Sequence, residues 1–228
     1  MKWPHPFWVA AAAGLLVLAA AFVPVLWKGR TGAPATEGGD APRSPWQIRR
    51  EADGSVRALG LRLPGSTLGE VAQQWGDGFE VAVLGQGAEG LALEGYVERW
   101  EGGGVTGKLV IVAAAPEASL RTWQSRGTAR SGEKGPAPRW HLAAADRAAA
   151  GQAPVIGLTF LPSTSLDAQV LAQRYGTPSE RRGDADGREH WLYPERGLAI
   201  LLDPRGPEVL QVVAPAEFER RLRAPLGR

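Results

Sequence analysis

Hydrophobic positions fall into three regimes along the chain. Residues 7–27 are apolar without interruption, dominated by Ala, Leu and Val and free of charge. Residues 29–44 show no apolar period. From residue 46 onward, short apolar runs alternate between the helical and the strand period, broken repeatedly by Gly and Pro.

The first run matches a bilayer in length. At about 1.5 Å per residue its 21 positions cover roughly the 30 Å hydrocarbon core. Trp3 and Trp8 flank one end and Trp27 the other, where amphipathic rings favour the headgroup layer. Lys28 and Arg30 stop the run. A cleaved signal peptide is the rival reading, because Ala19-Ala20-Ala21 offers a small-residue site. Cleavage there would leave Phe22, Val23, Leu26 and Trp27 as a greasy tail, so an uncleaved anchor over residues 1–28 is expected. Lys2 argues for an inside amino terminus, whereas Lys28 and Arg30 pull the other way. A short N-tail with a long body favours export. The expected location is therefore a bacterial inner membrane, crossed once, with a periplasmic body. Residues 29–45, rich in Gly, Ala, Pro and Thr, read as a flexible linker.

The body matches itself. Leu63-Pro64-Gly65-Ser66-Thr67-Leu68 recurs as Leu161-Pro162-Ser163-Thr164-Ser165-Leu166. Ala72-Gln73-Gln74-Trp75-Gly76 recurs as Ala172-Gln173-Arg174-Tyr175-Gly176, and Leu109-Val110-Ile111-Val112-Ala113 as Leu210-Gln211-Val212-Val213-Ala214. Order and spacing are kept, which points to two copies of one unit. Each copy reads as an apolar strand (58–63, 155–161) ending at a Pro, then a helix, then three strands. Thr67 with Glu70 has capping-box spacing, and Gly76 and Gly176 stand at helix C-termini. The strands are expected at 79–84, 91–100 and 105–113, and again at 189–193, 198–202 and 208–213. The fold class is thus α+β: two tandem helix-on-antiparallel-sheet repeats, 46–120 and 153–228, joined by 121–152 and preceded by one transmembrane helix. Sheets lying side by side would make one longer concave face.

Copy two carries a recognisable string. A helix, Tyr175-Gly176-Thr177-Pro178, a charged turn, Trp191-Leu192-Tyr193 and two more strands together resemble the small-lipoprotein fold of the outer-membrane assembly lipoproteins. In tandem, the unit is similar to the β-lactamase inhibitory protein architecture. The likeness covers roughly half of the chain. It departs in having one clear helix per unit rather than two, and no lipobox cysteine. It implies a protein-binding envelope module and supplies no catalytic residues.

Composition removes several classes. Lys+Arg 26 against Asp+Glu 24 gives a net +2, with no basic stretch interleaved with aromatics, so no nucleic-acid partner is expected. Zero cysteine excludes disulfides, thiolate ligands and a Cys nucleophile. Gly85-Gln86-Gly87-Ala88-Glu89-Gly90 matches a dinucleotide fingerprint as a string, but a strand pattern follows where a helix is required. Gly102 to Lys108 starts like a phosphate loop, yet Leu109 stands where Ser or Thr must meet magnesium. No nucleotide or other cofactor is expected. Asp184-Ala185-Asp186-Gly187-Arg188-Glu189 is a fragment of a calcium loop and reads more simply as an acidic turn, so no metal site is expected.

Function is therefore expected in binding: a membrane-anchored envelope protein, non-catalytic, holding another envelope protein as a scaffold. The candidate partner-binding residues are Arg181, Arg182, His190, Trp191 and Tyr193, an Arg-and-aromatic set of the kind that dominates interfaces. Alternate strand positions share a face, so Trp191 and Tyr193 point together, opposite His190 and Leu192. If the aromatics are core, His190 and the Arg pair become the contact set and an acidic partner is favoured. The alternatives are a hydrolase-type enzyme centred on His190 or His141, and a cytosol-facing membrane adaptor. Alkaline phosphatase fused after Arg228 separates the topologies: activity is expected, and an inactive fusion reverses the orientation.

Overall fold

The computed structural model describes residues 44–85, 90–129 and 138–227. The expected anchor and most of its linker lie outside the described residues. Among the described residues no helix is long and apolar enough to cross a membrane.

The chain opens with a small three-stranded antiparallel sheet: β1 (Arg49–Arg50), β2 (Val56–Ala58) and β3 (Leu61–Leu63). Helix α1 (Leu68–Trp75) leads into a meander of β4 (Phe79–Gly85), β5 (Leu91–Gly102) and β6 (Val105–Ala113). Then come α2 (Glu117–Arg126), β7 (Thr128–Ala129), β8 (Arg139–His141) and α3 (Ala144–Gly151). The rest is β9 (Val155–Pro162), α4 (Ala168–Tyr175), β10 (Glu180–Gly183), β11 (Glu189–Tyr193), β12 (Leu198–Leu202) and β13 (Val209–Val213), closed by short helical turns. Ten strands form one sheet in the order β10-β11-β12-β13-β9-β6-β5-β4-β8-β7, every pair antiparallel.

This overturns the expected α+β fold class of two repeats, each a helix on its own small sheet. The large sheet is continuous, and the halves share it through β9, whose Phe160 is paired with Leu109 of β6 and with Leu210 of β13. The physical cause lies in the composition of β9. Its run Val155–Pro162 has no wet face: all positions except Ile156 are buried, Leu158 and Phe160 on the helix side, Thr159 and Leu161 on the other. A strand of this kind left at an edge would expose a long apolar template, so both of its edges are paired. Nor do the matched strings occupy equivalent places. Leu63 ends β3 in the small sheet, whereas Leu161-Pro162 ends β9 at the centre of the large one. Residues 58–63 are not a single strand either. Leu59 (φ 54) and Gly60 (φ 87) make a two-residue turn that sets Ala58 opposite Leu61. Leu59 adopts this unusual conformation with its side chain fully inside the core.

Local signals act where they stand. Thr67 accepts from the Glu70 amide at 3.3 Å while Glu70 Oε2 accepts from the Thr67 amide at 3.0 Å, a complete capping box. Helix α4 starts later than Leu166, because Asp167 caps it by accepting from the Gln169 amide at 2.6 Å. The Leu166 amide donates instead to the buried Glu208 carboxylate at 2.8 Å.

The principal core lies between the sheet and the helices: Leu68 and Val71 of α1, Leu120 and Trp123 of α2, and Leu171 and Tyr175 of α4 pack over Val83, Leu109, Ile111, Leu158 and Phe160. Trp100 meets Phe160 edge-on, ring centroids 4.9 Å apart. Gly107, paired with Trp100, makes this contact possible: a Cβ there would lie 2.4 Å from the Leu161 carbonyl oxygen and 2.5 Å from the Phe160 ring. On the sheet's other face, Phe218 and Leu222 cover Leu192, Ala199 and Val213. Gly107→Ala is expected to cost about 1–3 kcal/mol by overpacking, and Trp100→Ala about 3–5 kcal/mol. Urea titration of the variants checks both, and Gly78→Ala, with nothing within 4 Å, should be nearly neutral in it.

Candidate anion-binding groove

The residues singled out in the sequence do not form one patch. Trp191 and Tyr193 are core residues, 3% and 4% exposed. The ladder pairs Arg181 with Trp191 and Arg182 with His190, and paired residues share a face, so the two arginines sit on opposite sides of the sheet. Arg182 is spent locally, donating to Glu180 and to the Gly227 carbonyl. His190 is half-buried. Burial lowers its pKa, with Arg188 and Arg182 pushing the same way and Asp184 opposing. Its fellow candidate His141 sits on β8, far across the strand order, so the two histidines share no site. The acidic turn is closed by its own arginine: Asp184 accepts from Arg188 Nε at 2.6 Å and from the Asp186 amide at 2.9 Å. Arg181 is different. Its guanidinium lies 4.5 Å from the Trp191 ring centroid and 3.7 Å from the Glu189 carboxylate.

Near the start of the described chain, three aromatic rings stand in series. Trp46 stands 5.9 Å from Tyr175, and Tyr175 stands 6.1 Å from Tyr193. Every polar end is bonded to backbone. Trp46 Nε1 donates to the Gly103 carbonyl at 2.9 Å, the Tyr175 hydroxyl to the Pro45 carbonyl at 2.6 Å, and the Tyr193 hydroxyl to the Gly176 carbonyl at 2.9 Å. These bonds bring together the first described residues, the β5–β6 turn and the end of α4. Burial raises the pKa of Tyr175 and of Tyr193. Arg196 pulls against the shift at both hydroxyls, and Arg181 does so at Tyr193.

Arginines gather beside Trp46, the half-exposed ring of this series. An open cavity of about 710 Å³ is lined by Arg49, Arg50, Arg57, Arg174 and Arg196, with Trp46, Gln47 and Ile48 and a single acid, Glu195. Arg50 pairs with Glu195 at 2.5 Å, and Arg57 with Glu51 at 3.3 Å. Arg174 lies 5.5 Å above the Trp46 ring, and neither it nor Arg196 has a carboxylate partner among the described residues. A surface with this excess of guanidinium attracts carboxylate or phosphate, which guanidinium meets in a two-pronged geometry. The one carboxylate of the lining, Glu195, is engaged by Arg50, and arginine does not give up its proton.

Sequence reasoning missed this groove because its arginines are scattered from residue 49 to residue 196. Only the doublet Arg49-Arg50 was visible as a signal. Searches against protein-family models, curated proteins and solved structures find no match.

A second polar feature lies on the sheet's other face. Glu94 is 4% exposed and its Oε1 has no hydrogen-bond partner among the described residues. Burial pushes its carboxyl up from an ordinary value near 4.5 to about 7, while Arg139 opposes the shift. The folded state therefore holds this proton more tightly than the unfolded chain. The stabilisation is full below about pH 4.5 and is lost as pH rises through about 7. Between pH 5 and pH 8 Glu94 should remove on the order of 3 kcal/mol of stability. Urea midpoints across that range should flatten in Glu94→Gln.

Proposed function

We propose that this protein is a membrane-anchored, non-catalytic binding module whose folded part holds an anionic group in the arginine groove. The observation that carries the reading is the groove itself: five arginines and one glutamate beside Trp46, whose indole N–H is bonded to the Gly103 carbonyl. Most of the lining's charge is permanent guanidinium, and its one carboxylate, Glu195, is paired with Arg50, which favours holding an anion over turnover. The exposed Arg174 and Arg196 are free to meet a ligand without first breaking an ion pair. Anchoring is read from the apolar run 7–27, and a periplasmic scaffold role follows from the expected topology.

Binding of polyglutamate and of polyphosphate to the detergent-solubilised full chain tests the anion reading. Trp46 fluorescence should report it, with Trp46→Phe identifying that indole's share. Losing a charge-assisted contact costs about 1.5–3 kcal/mol. Replacing both Arg174 and Arg196 by Glu should therefore weaken binding at least roughly 150-fold, and 0.5 M salt should weaken it in the wild type. Equal binding by the double variant would remove the groove from the function.

A further inference from the structure

We infer that the anion held by the groove is the phosphate of acidic lipid headgroups in the protein's own membrane, so that the domain lies with this face against the bilayer. The inference rests on reading the groove as an anion site and residues 7–27 as the anchor.

The first support is where the chain joins the fold. Ser44 is buried, and Gly103 approaches it so closely that a Cβ at Gly103 would lie 2.2 Å from the Ser44 hydroxyl oxygen. The Gln47 amide donates to the Ser44 carbonyl at 3.1 Å. Two residues after Ser44, Trp46 already forms the groove wall. The groove is therefore fixed to the point at which the chain arrives from the apolar run.

Reach is the second support. Sixteen residues, 28–43, separate Trp27 from Ser44, and they can span at most about 55 Å. A ten-stranded sheet at about 4.8 Å per strand is itself about 45 Å across. A leash scarcely longer than the domain keeps the attached face near the bilayer, where even weak contacts recur at high effective concentration.

Charge and side-chain type agree with this occupant. Each Lys or Arg brought to an acidic membrane surface adds to its attraction. The groove presents Arg49, Arg50, Arg57, Arg174 and Arg196, and the leash adds Lys28, Arg30 and Arg43. Trp46, half-buried with Arg174 above its ring, is the amphipathic residue type favoured at a headgroup layer.

The test uses full-length protein in nanodiscs of phosphatidylcholine alone and of phosphatidylcholine with phosphatidylglycerol. Backbone hydrogen exchange over residues 46–58 is the readout. Exchange should slow at least severalfold in the acidic discs, revert in 0.5 M salt, and revert in Arg174→Glu/Arg196→Glu. The milder pair Arg174→Gln/Arg196→Gln serves if the reversal unfolds the domain by circular dichroism. Equal exchange in both discs, with polyglutamate still bound, overturns the lipid assignment while the anion reading stands, and an acidic protein segment becomes the occupant. Equal exchange with no soluble anion bound overturns both. Protection that survives loss of the two arginines, or a chain that does not enter discs, also overturns the lipid assignment.

Discussion

Everything in this fold depends on β9 having a partner along each edge. Its apolar residues point both ways, so it needs cover above and below as well as hydrogen bonds at both sides. The β4–β5–β6 meander supplies one edge and β13 the other. Helices α1, α2 and α4 then lie on one face of a sheet that already spans both halves, and the large core runs continuously beneath them. Had β9 been amphipathic, each half could have closed on its own helix.

The groove is a by-product of how the first described residues are fastened. Three side-chain hydroxyl or indole hydrogens go to backbone carbonyls, which satisfies buried polar groups and orients the rings in series. Beside Trp46, arginines from the small sheet, from α4 and from the turn after β11 converge from three separate stretches of the sequence. Arginine suits this role because it stacks on rings while retaining its hydrogen-bond donors.

Local structure was legible in the sequence because its causes are local. The capping box at Thr67 and Glu70, the glycine stops at Gly76 and Gly176, and strands such as Val105–Ala113 follow from residues within one turn or one hairpin. Helix α2 escaped notice because only Leu120 and Trp123 of its ten residues are buried, leaving a faint helical period. Strand β10, Glu-Arg-Arg-Gly, reads as a charged turn and is a strand only because β11 lies beside it. The division into two sheets failed for a related reason: pairing partners fifty residues apart leave no mark in a period. The groove was not legible. None of Arg181, Arg182, His190, Trp191 and Tyr193 lines it, and the arginines that do become a group only in three dimensions.

The central position of β9 also sets an order of events during synthesis. Its partner β6 is made about 50 residues before it and β13 about 50 residues after it. At about 5–20 residues per second, one edge of β9 waits for several seconds after the other is paired. During that interval an apolar strand with a free ladder is open to any extended chain nearby, including another copy of itself. The segment most responsible for holding the finished domain together is thus also the one most in need of shielding while the domain is being made.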